Sequence, residues 1–225
     1  MRGMWYIWRV ARVRKGIYIV FEGVIGNGKS VQSQLLASRL QQEFPDRLVV
    51  WTREPGGSEI AGEIRRVAQG MIFSEEMDSV CEQYLYAASR AQTLRTIVKP
   101  VLDRGGIVVA DRSVFTSLAF QGYGRGLGVK MVLDVNKVAV DGLWPDMVIF
   151  LDVDLETAMS RVKDKRGDKF ESMDKNFFTK VLRGYKDIAR KYKKTVRMVN
   201  GRGKIEEVEK RIWDIIKPWL TKYSS

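Results

Sequence analysis

Short apolar runs alternate with amphipathic stretches along the 225-residue chain. The runs are rich in β-branched residues and are bounded by turn-forming residues, which predicts buried β-strands. The predicted strands are Ile17–Phe21, Arg47–Thr52, Ile107–Ala110, Met147–Leu151 and Thr195–Val199. Because helical patterns separate them, the chain is predicted to adopt an α/β fold, a five-stranded parallel sheet with helices on both faces. Ligands of such sheets bind at the carboxyl ends of the strands.

Helical periodicity fills the segments between the strands. The sequence predicts helices at Val31–Leu40, at Ser58–Val67, at Val80–Val101 and from about Leu155. A further, strongly amphipathic helix carries seven apolar residues that we interpret as core, namely Phe177, Phe178, Val181, Leu182, Tyr185, Ile188 and Tyr192. Cys81 lies in an apolar helical segment and is expected to be a buried packing residue.

The composition restricts the possible chemistry. The chain has no histidine and a single cysteine, so it has neither a histidine-based catalytic centre nor an internal disulfide bond. Its net charge of +12 favours a polyanionic ligand such as a nucleotide. Since no apolar stretch approaches the roughly 18 residues of a membrane span and no secretory signal is recognisable, we expect a cytoplasmic protein without a membrane partner.

Residues 1–15 carry five basic and no acidic side chains and precede the first predicted strand. Three interpretations stay open: an arm for nucleic acid or lipid, an organelle presequence, or a stretch upstream of the true start. We expect this extension to be dispensable and nucleic acid not to be required. Residues 16–225 are expected to form a single domain.

The first strand leads into the motif Gly23-x-x-x-x-Gly28-Lys29-Ser30, and a helical pattern follows it. Glycines in this context let successive backbone N–H groups surround the phosphates of a nucleoside triphosphate, the lysine reaches the β and γ oxygens, and the serine ligates Mg²⁺. The predicted ATP-binding residues are Gly23, Val24, Ile25, Gly26, Asn27, Gly28, Lys29, Ser30 and Val31. ATP and Mg²⁺ are therefore the predicted phosphoryl donor and cofactor.

Charged residues also follow the second and third predicted strands. Arg53 and Glu54 follow one, and Asp111 and Arg112 follow the other. A parallel sheet brings these strand ends to one edge, so both arginines are expected to converge with Lys29 on one positive pocket. Asp111 is predicted to lie beside Ser30 and to position the metal, which makes these two the metal residues. A second anionic ligand facing ATP indicates phosphoryl transfer.

Several segments together resemble bacterial-type thymidylate kinases, which transfer a phosphoryl group from ATP to dTMP. The resemblance spans about residues 16–219 and rests on motifs in a fixed order. These motifs are Phe21-Glu22-Gly23 with the glycine loop, the segment 52–57, Ala87-Ala88-Ser89-Arg90-Ala91-Gln92, Asp111-Arg112 running to Gly126, Pro145-Asp146 before a strand, and Asp168-Lys169-Phe170-Glu171. The resemblance implies a P-loop NTPase-type fold, a short basic lid at about 161–172, a homodimer, and conversion of dTMP to dTDP.

The resemblance also implies roles for individual residues. The catalytic residues would be Lys29, Asp111, Arg112, Arg161 and Arg166. The residues that bind the acceptor would be Arg53, Glu54, Tyr86, Arg90, Arg112, Thr116, Ser117, Phe120 and Gln121. Tyr86 and Arg90 are four residues apart and share a helix face, where the family places an aromatic ring on thymine and an arginine at the base edge. Because apolar residues surround Arg90, we interpret its charge as needing a partner, for which a ligand is a candidate.

Two departures from the family pattern bear on the acceptor. Ile25 stands where the family usually has an acidic residue near the 3′-hydroxyl, and Phe120 replaces a tyrosine near the sugar. The segment from Glu22 to Ser30 also resembles deoxynucleoside kinases, in which Glu54 would be the carboxylate base for a neutral hydroxyl. A third hypothesis is a nucleotide-binding protein without catalytic activity.

Overall fold

Five parallel strands form the centre of the molecule, as the sequence predicts. The computed structural model describes residues 15–161 and 175–223. The strands are β1 (Ile17–Glu22), β2 (Val49–Arg53), β3 (Ile107–Asp111), β4 (Met147–Asp152) and β5 (Val196–Asn200). They pair in the order β2-β3-β1-β4-β5, so β1 is central. The prediction of a P-loop-type parallel sheet is confirmed.

Helices cover both faces of this sheet. The helices are α1 (Lys29–Glu43), α2 (Glu59–Ala68), α3 (Ser79–Thr93), α4 (Lys99–Asp103), α5 (Val114–Ser117), α6 (Val129–Val140), α7 (Leu155–Ser160), α8 (Lys175–Lys191) and α9 (Ile205–Tyr223). A π-helical turn at Leu94–Val98 joins α3 to α4, and a second one at Leu118–Gly124 follows α5. The long helix predicted at 80–101 is therefore present but contains a π-helical turn. None of the helices in the described ranges is long and apolar enough to cross a membrane.

The residues of β1 alternate between two cores. Ile17, Ile19 and Phe21 pack in the layer that α1 and α9 cover, whereas Tyr18 and Val20 face the layer that contains α8. This alternation follows from the two-residue period of a strand, and it explains why β1 is apolar on both faces. Of the seven predicted core residues, five lie buried on α8, and Leu182 and Tyr192, the latter just past the end of α8, are partly buried against the same core.

Two predictions concern residues that the structure places elsewhere or does not describe. Cys81 is exposed, so the prediction of a buried packing residue is wrong; it lies in the first turn of α3, beside the N-cap residue Asp78, on the face turned away from the core. Residues 1–14 and 162–174 lie outside the described part of the chain, and with them most of the predicted lid and Arg166.

Candidate active site

The strand register brings the residues of the predicted site to one edge of the sheet. Asp111, at the end of β3, is paired with Phe21 on one side and with Arg53 on the other. The glycine loop begins two residues after Phe21, so loop, carboxylate and arginine meet at the carboxyl ends of β1, β2 and β3. The sequence anticipated this convergence from the strand assignments alone.

The glycine loop has the backbone conformations that only glycine adopts easily. Gly23, Gly26 and Gly28 have φ angles of 139°, 78° and 91°, and Gly28 is the N-cap of α1. A Cβ on Gly23 would collide with the Asn27 side chain. That side chain fills the loop and donates a hydrogen bond of 3.0 Å to the carbonyl of Leu151. The glycine loop thus leads directly into the N-terminus of α1, and backbone N–H groups at a helix N-terminus are suited to binding phosphates.

Lys29 lies over this loop with only 6% of its surface exposed. Its ammonium donates hydrogen bonds to the Val24 carbonyl at 3.0 Å and to Asn27 Oδ1 at 3.4 Å. Burial, followed by the positive charge of Arg112, lowers the pKa of Lys29 to about 7. An anionic ligand would favour the charged form, so this lysine is poised to gain a proton when phosphates bind.

Ser30 and Asp111 form the predicted metal pair. The Ser30 hydroxyl donates a 2.5 Å hydrogen bond to Asp111 Oδ2. Asp111 is buried, and its other oxygen, Oδ1, has no hydrogen-bond partner in the part of the chain that is described. A buried carboxylate oxygen without a partner is costly, and a serine hydroxyl with a carboxylate is the oxygen donor set that Mg²⁺ prefers. These residues therefore fit a magnesium ion.

Two arginines face the same space. Arg112 follows β3 with a φ of 79°, a left-handed conformation that is strained for a residue with a side chain. Its Nη1 donates to the Gly23 carbonyl and to Thr116 Oγ1, both at 3.2 Å. The Nε of Arg53 is buried and has no hydrogen-bond partner among the described residues. A buried guanidinium donor left without a partner indicates a place for an anion.

A cavity of about 470 Å³ contains these groups. It is lined by Ile25, Gly26, Gly28, Lys29, Ser30, Val31, Arg53, Pro55, Arg65, Gln69, Tyr86, Asp111, Arg112, Thr116, Phe120, Gln121 and Arg161. Most of the predicted site residues are thus brought together. The sequence analysis missed Arg65, on α2, and Gln69, which follows that helix, because neither belongs to a motif.

Three predicted acceptor residues lie behind this cavity instead of lining it: Glu54, Arg90 and Ser117. Arg90 is buried and donates from Nε to Glu54 at 2.7 Å, from Nη1 to Asn136 Oδ1 at 2.5 Å, and from Nη2 to Ser117 Oγ at 3.2 Å. The charge of Arg90 has partners, as expected, but the protein supplies them and no ligand is required for this purpose. Direct contact of these three residues with an acceptor stays a prediction that this arrangement does not support.

The carboxylate of Glu54 also has its partners within the protein, Arg90 and Tyr18. Burial raises the pKa of its carboxyl to about 7, while the neighbouring Arg90 opposes that shift. Tyr18 donates a hydrogen bond to the same carboxylate at 3.5 Å. A general base must reach the proton that it removes, so a carboxylate tied to Arg90 outside the cavity is badly placed for this task. The geometry does not favour the hypothesis of a nucleoside kinase that uses Glu54.

A second cavity, of about 340 Å³, adjoins the first and shares Gly28, Val31 and Arg161 with it. Its far wall is the turn between β5 and α9, which includes Gly201, Gly203, Lys204 and Ile205. The sequence analysis did not predict this cavity. The signal was present, because Asn200-Gly201-Arg202-Gly203 is a glycine-containing turn at the carboxyl end of a predicted strand.

Glu22 forms a buried hydrogen-bond centre under the glycine loop, which the sequence analysis also missed. It accepts hydrogen bonds from the hydroxyls of Ser113 at 2.7 Å, Thr116 at 2.5 Å and Tyr185 at 3.0 Å. Burial raises the pKa of Glu22, and these donors counteract the rise. The network fixes Thr116, which in turn accepts from Arg112.

The sheet, the glycine loop and the converging cations define a P-loop protein that binds two anionic ligands. Comparison with known proteins identifies the family. The thymidylate kinase family model matches residues 21–212, and the chain therefore belongs to the thymidylate kinase family, which confirms the resemblance seen in its sequence.

Individual members of the family are similar to this chain over nearly their whole length. The chain is 37% identical to the thymidylate kinase of Halothermothrix orenii over 212 residues, which cover 92% of this chain and all of that protein. It is 40% identical to the thymidylate kinase of Leuconostoc mesenteroides over 200 residues, 86% of this chain and 92% of the relative. The crystal structure of thymidylate kinase from Ehrlichia chaffeensis superposes with a TM-score of 0.73 at 29% identity, covering 90% of this chain and 99% of that one.

Proposed function

We propose that this chain transfers the γ-phosphoryl group of ATP to the phosphate of dTMP and releases dTDP and ADP, with Mg²⁺ as cofactor. Family membership supports the reaction. The observation that carries it is the composition of the larger cavity, where the glycine loop and the Ser30–Asp111 pair face two arginines across the same space. Donor and acceptor phosphates would meet between them.

The donor would occupy the glycine loop and extend into the second cavity. Backbone N–H groups at the start of α1 and the Lys29 ammonium would surround its phosphates. The nucleoside end would lie against the turn between β5 and α9, since that cavity opens from the loop at Gly28 and Val31. Arg161 lines both cavities, which supports a contact with the triphosphate between them.

Ser30 and Asp111 would hold the magnesium ion. No cluster of three or more acidic, histidine or cysteine side chains exists among the described residues, so phosphate oxygens and water would complete the coordination. When bound, the ion neutralises charge that builds up on the transferring phosphoryl group. The Ser30–Asp111 hydrogen bond keeps both oxygen donors on the side of the loop that faces the phosphates.

The acceptor would lie between β2, α3 and the turn after α5. Arg53 and Arg112 would bind its phosphate, and Arg112 is close enough to the glycine loop to contact the transferring group as well. The rings of Tyr86 and Phe120 and the amide of Gln121 line the remaining wall, which suits a flat base and its sugar. Phosphoryl transfer requires positioning and neutralisation of charge more than a covalent group, and these side chains supply both.

A homodimer and a cytoplasmic location stay proposals. On α3, one face is buried in the core, and Val80 and Tyr84 on another face are exposed. A second copy could cover this exposed face, which agrees with the dimer that the family resemblance implies.

An assay with ATP and four separate conditions tests the proposal: dTMP, dUMP, thymidine and no acceptor. We expect Mg²⁺-dependent formation of a nucleoside diphosphate from dTMP, with no comparable product from thymidine. Phosphorylation of thymidine but not dTMP would show a nucleoside kinase. ATP binding without turnover in any condition would show a non-catalytic nucleotide-binding protein.

A further inference from the structure

The side-chain amide of Gln121 is held at one end only. Gln121 lies in the π-helical turn after α5, lines the larger cavity, and is 1% exposed. Its Nε2 donates a 2.8 Å hydrogen bond to Glu82 Oε1. Its Oε1 is buried and has no hydrogen-bond partner in residues 15–161 and 175–223. An acceptor that neither protein nor bulk water satisfies indicates a donor on a ligand.

Glu82 determines which end of that amide is held. It lies on α3 with none of its surface exposed, and Arg125 donates to it from Nη2 at 2.9 Å. Both Glu82 oxygens act as acceptors in this arrangement, Oε1 towards Gln121 and Oε2 towards Arg125, with which Glu82 forms an ion pair. The amide must therefore turn its NH₂ group towards Glu82. Its carbonyl is left as the end available to a ligand.

The same helix face carries the aromatic wall of the cavity. Tyr86 follows Glu82 by four residues, one helical turn, and lines the cavity beside Gln121. A pyrimidine ring stacked on Tyr86 would present an edge to Gln121. Position N3 of thymine or uracil carries a hydrogen, whereas N3 of cytosine carries a lone pair, which the Gln121 carbonyl would repel.

We propose that Glu82 is a positioning residue that sets base selectivity: it holds the Gln121 amide so that only its carbonyl meets the base, which favours pyrimidines with an N3–H group. This inference rests on the proposed function and extends it. Arg125 contributes through its 2.9 Å ion pair with Glu82, which holds the carboxylate in place as an acceptor. The selectivity thus comes from a carboxylate that does not itself line the cavity.

The substitution Glu82→Gln tests this role. A glutamine at position 82 both donates and accepts, so the Gln121 amide gains a second orientation in which its NH₂ group faces the base. We expect the preference in kcat/KM for dTMP over dCMP to fall by about tenfold or more. The ratio of dTMP to dUMP should stay unchanged, because both bases carry N3–H. Glu63→Gln, which breaks an exposed ion pair with Arg66, is the matched control and should leave both ratios as in the wild type.

A second variant keeps the test decisive if Glu82→Gln fails to fold. Gln121→Met removes the carbonyl and should lower the same preference, while Arg125 and Glu82 stay paired. Dissociation constants for dTMP and dCMP, measured by calorimetry without ATP, give a readout that does not depend on turnover. A wild-type preference that persists in the folded variants would overturn the role of Glu82. Failure of the wild type to bind or phosphorylate dTMP would instead contradict the proposed function.

Discussion

The hydroxyl of Ser30 and the carboxylate of Asp111 are joined by a 2.5 Å hydrogen bond across the ends of two strands. The bond occupies one carboxylate oxygen and leaves the other, which is buried, without a partner among the described residues. Residues 81 positions apart in the chain are therefore prepared to bind one cation. The pair also connects the start of α1 to the end of β3, so that the glycine loop and the carboxylate are held together.

Asp111→Asn should weaken metal binding specifically. The amide retains the shape of the side chain but supplies only one neutral acceptor, so the Mg²⁺ concentration for half-maximal activity should rise by about 10- to 100-fold. A magnesium titration of the initial rate measures this change. Asp134→Asn, which breaks an exposed pair with Lys130, is the control. An unchanged magnesium requirement in Asp111→Asn would remove Asp111 from the metal site.

Lys29 should take up protons when the donor binds. With its pKa lowered to about 7 in the free protein, the ammonium is half protonated near that pH, and phosphates would raise its pKa again. The number of protons that Lys29 takes up on binding should therefore be close to zero at pH 6 and approach one per site at pH 8. Calorimetry of ADP binding in buffers of different ionisation enthalpy measures proton uptake. The value for Lys29→Met is subtracted from that for the wild type. A difference that does not grow between pH 6 and pH 8 would rule out this protonation.

Ile25 should make the site tolerant at the 3′ position of the acceptor. It lines the cavity at the position where the family usually has a carboxylate, and an aliphatic wall cannot accept a hydrogen bond from the 3′-hydroxyl. We expect 3′-deoxy-dTMP to be phosphorylated with a kcat/KM within about tenfold of that for dTMP. Ile25→Asp should widen the gap. Strong preference of the wild type for dTMP would show that another residue contacts this hydroxyl.

Deletion of residues 2–14 should leave folding and activity intact. The cut is placed before Lys15 because the backbone carbonyl of Lys15 accepts a 2.9 Å hydrogen bond from the buried Arg47. A longer deletion that also removes Lys15 and Gly16 is the informative comparison, since no carbonyl then remains at position 15 for Arg47 and the free energy of unfolding should fall by about 1 kcal/mol or more. Thermal melting and turnover measure both proteins. A large loss of either in the shorter deletion would assign the extension a structural or catalytic role.

Strands and the phosphate loop could be predicted because their signals are local. The β-branched runs place Phe21, Arg53 and Asp111 at strand ends, and the parallel arrangement then requires them to meet. The position of Ser30 beside Asp111 followed from the same argument. Here sequence and structure agree because each short segment shows by itself that it is a buried strand, whereas the order of the strands in the sheet was not predicted.

Other features depend on contacts that no local pattern reveals. The partners of Arg90 include Glu54 and Asn136, which are 36 and 46 positions away, so the sequence shows an isolated charge where the structure has a hydrogen-bonded network. Cys81 was expected to be buried because the helix around it is apolar, yet a helix has more than one face. The π-helical turns depend on packing and have no distinctive residue pattern.

The most direct measurement is the formation of labelled dTDP from dTMP and γ-labelled ATP by the wild type and by Arg112→Ala. Arg112 contacts the glycine loop and lies beside the acceptor side of the cavity, so its loss should lower kcat by about 10³- to 10⁵-fold. ATP affinity should change far less, and the control Arg104→Ala, on the exposed end of the long helix, should behave as the wild type. Near-normal labelling of dTDP by Arg112→Ala, or absence of labelled dTDP with the wild type, would contradict this account of the site.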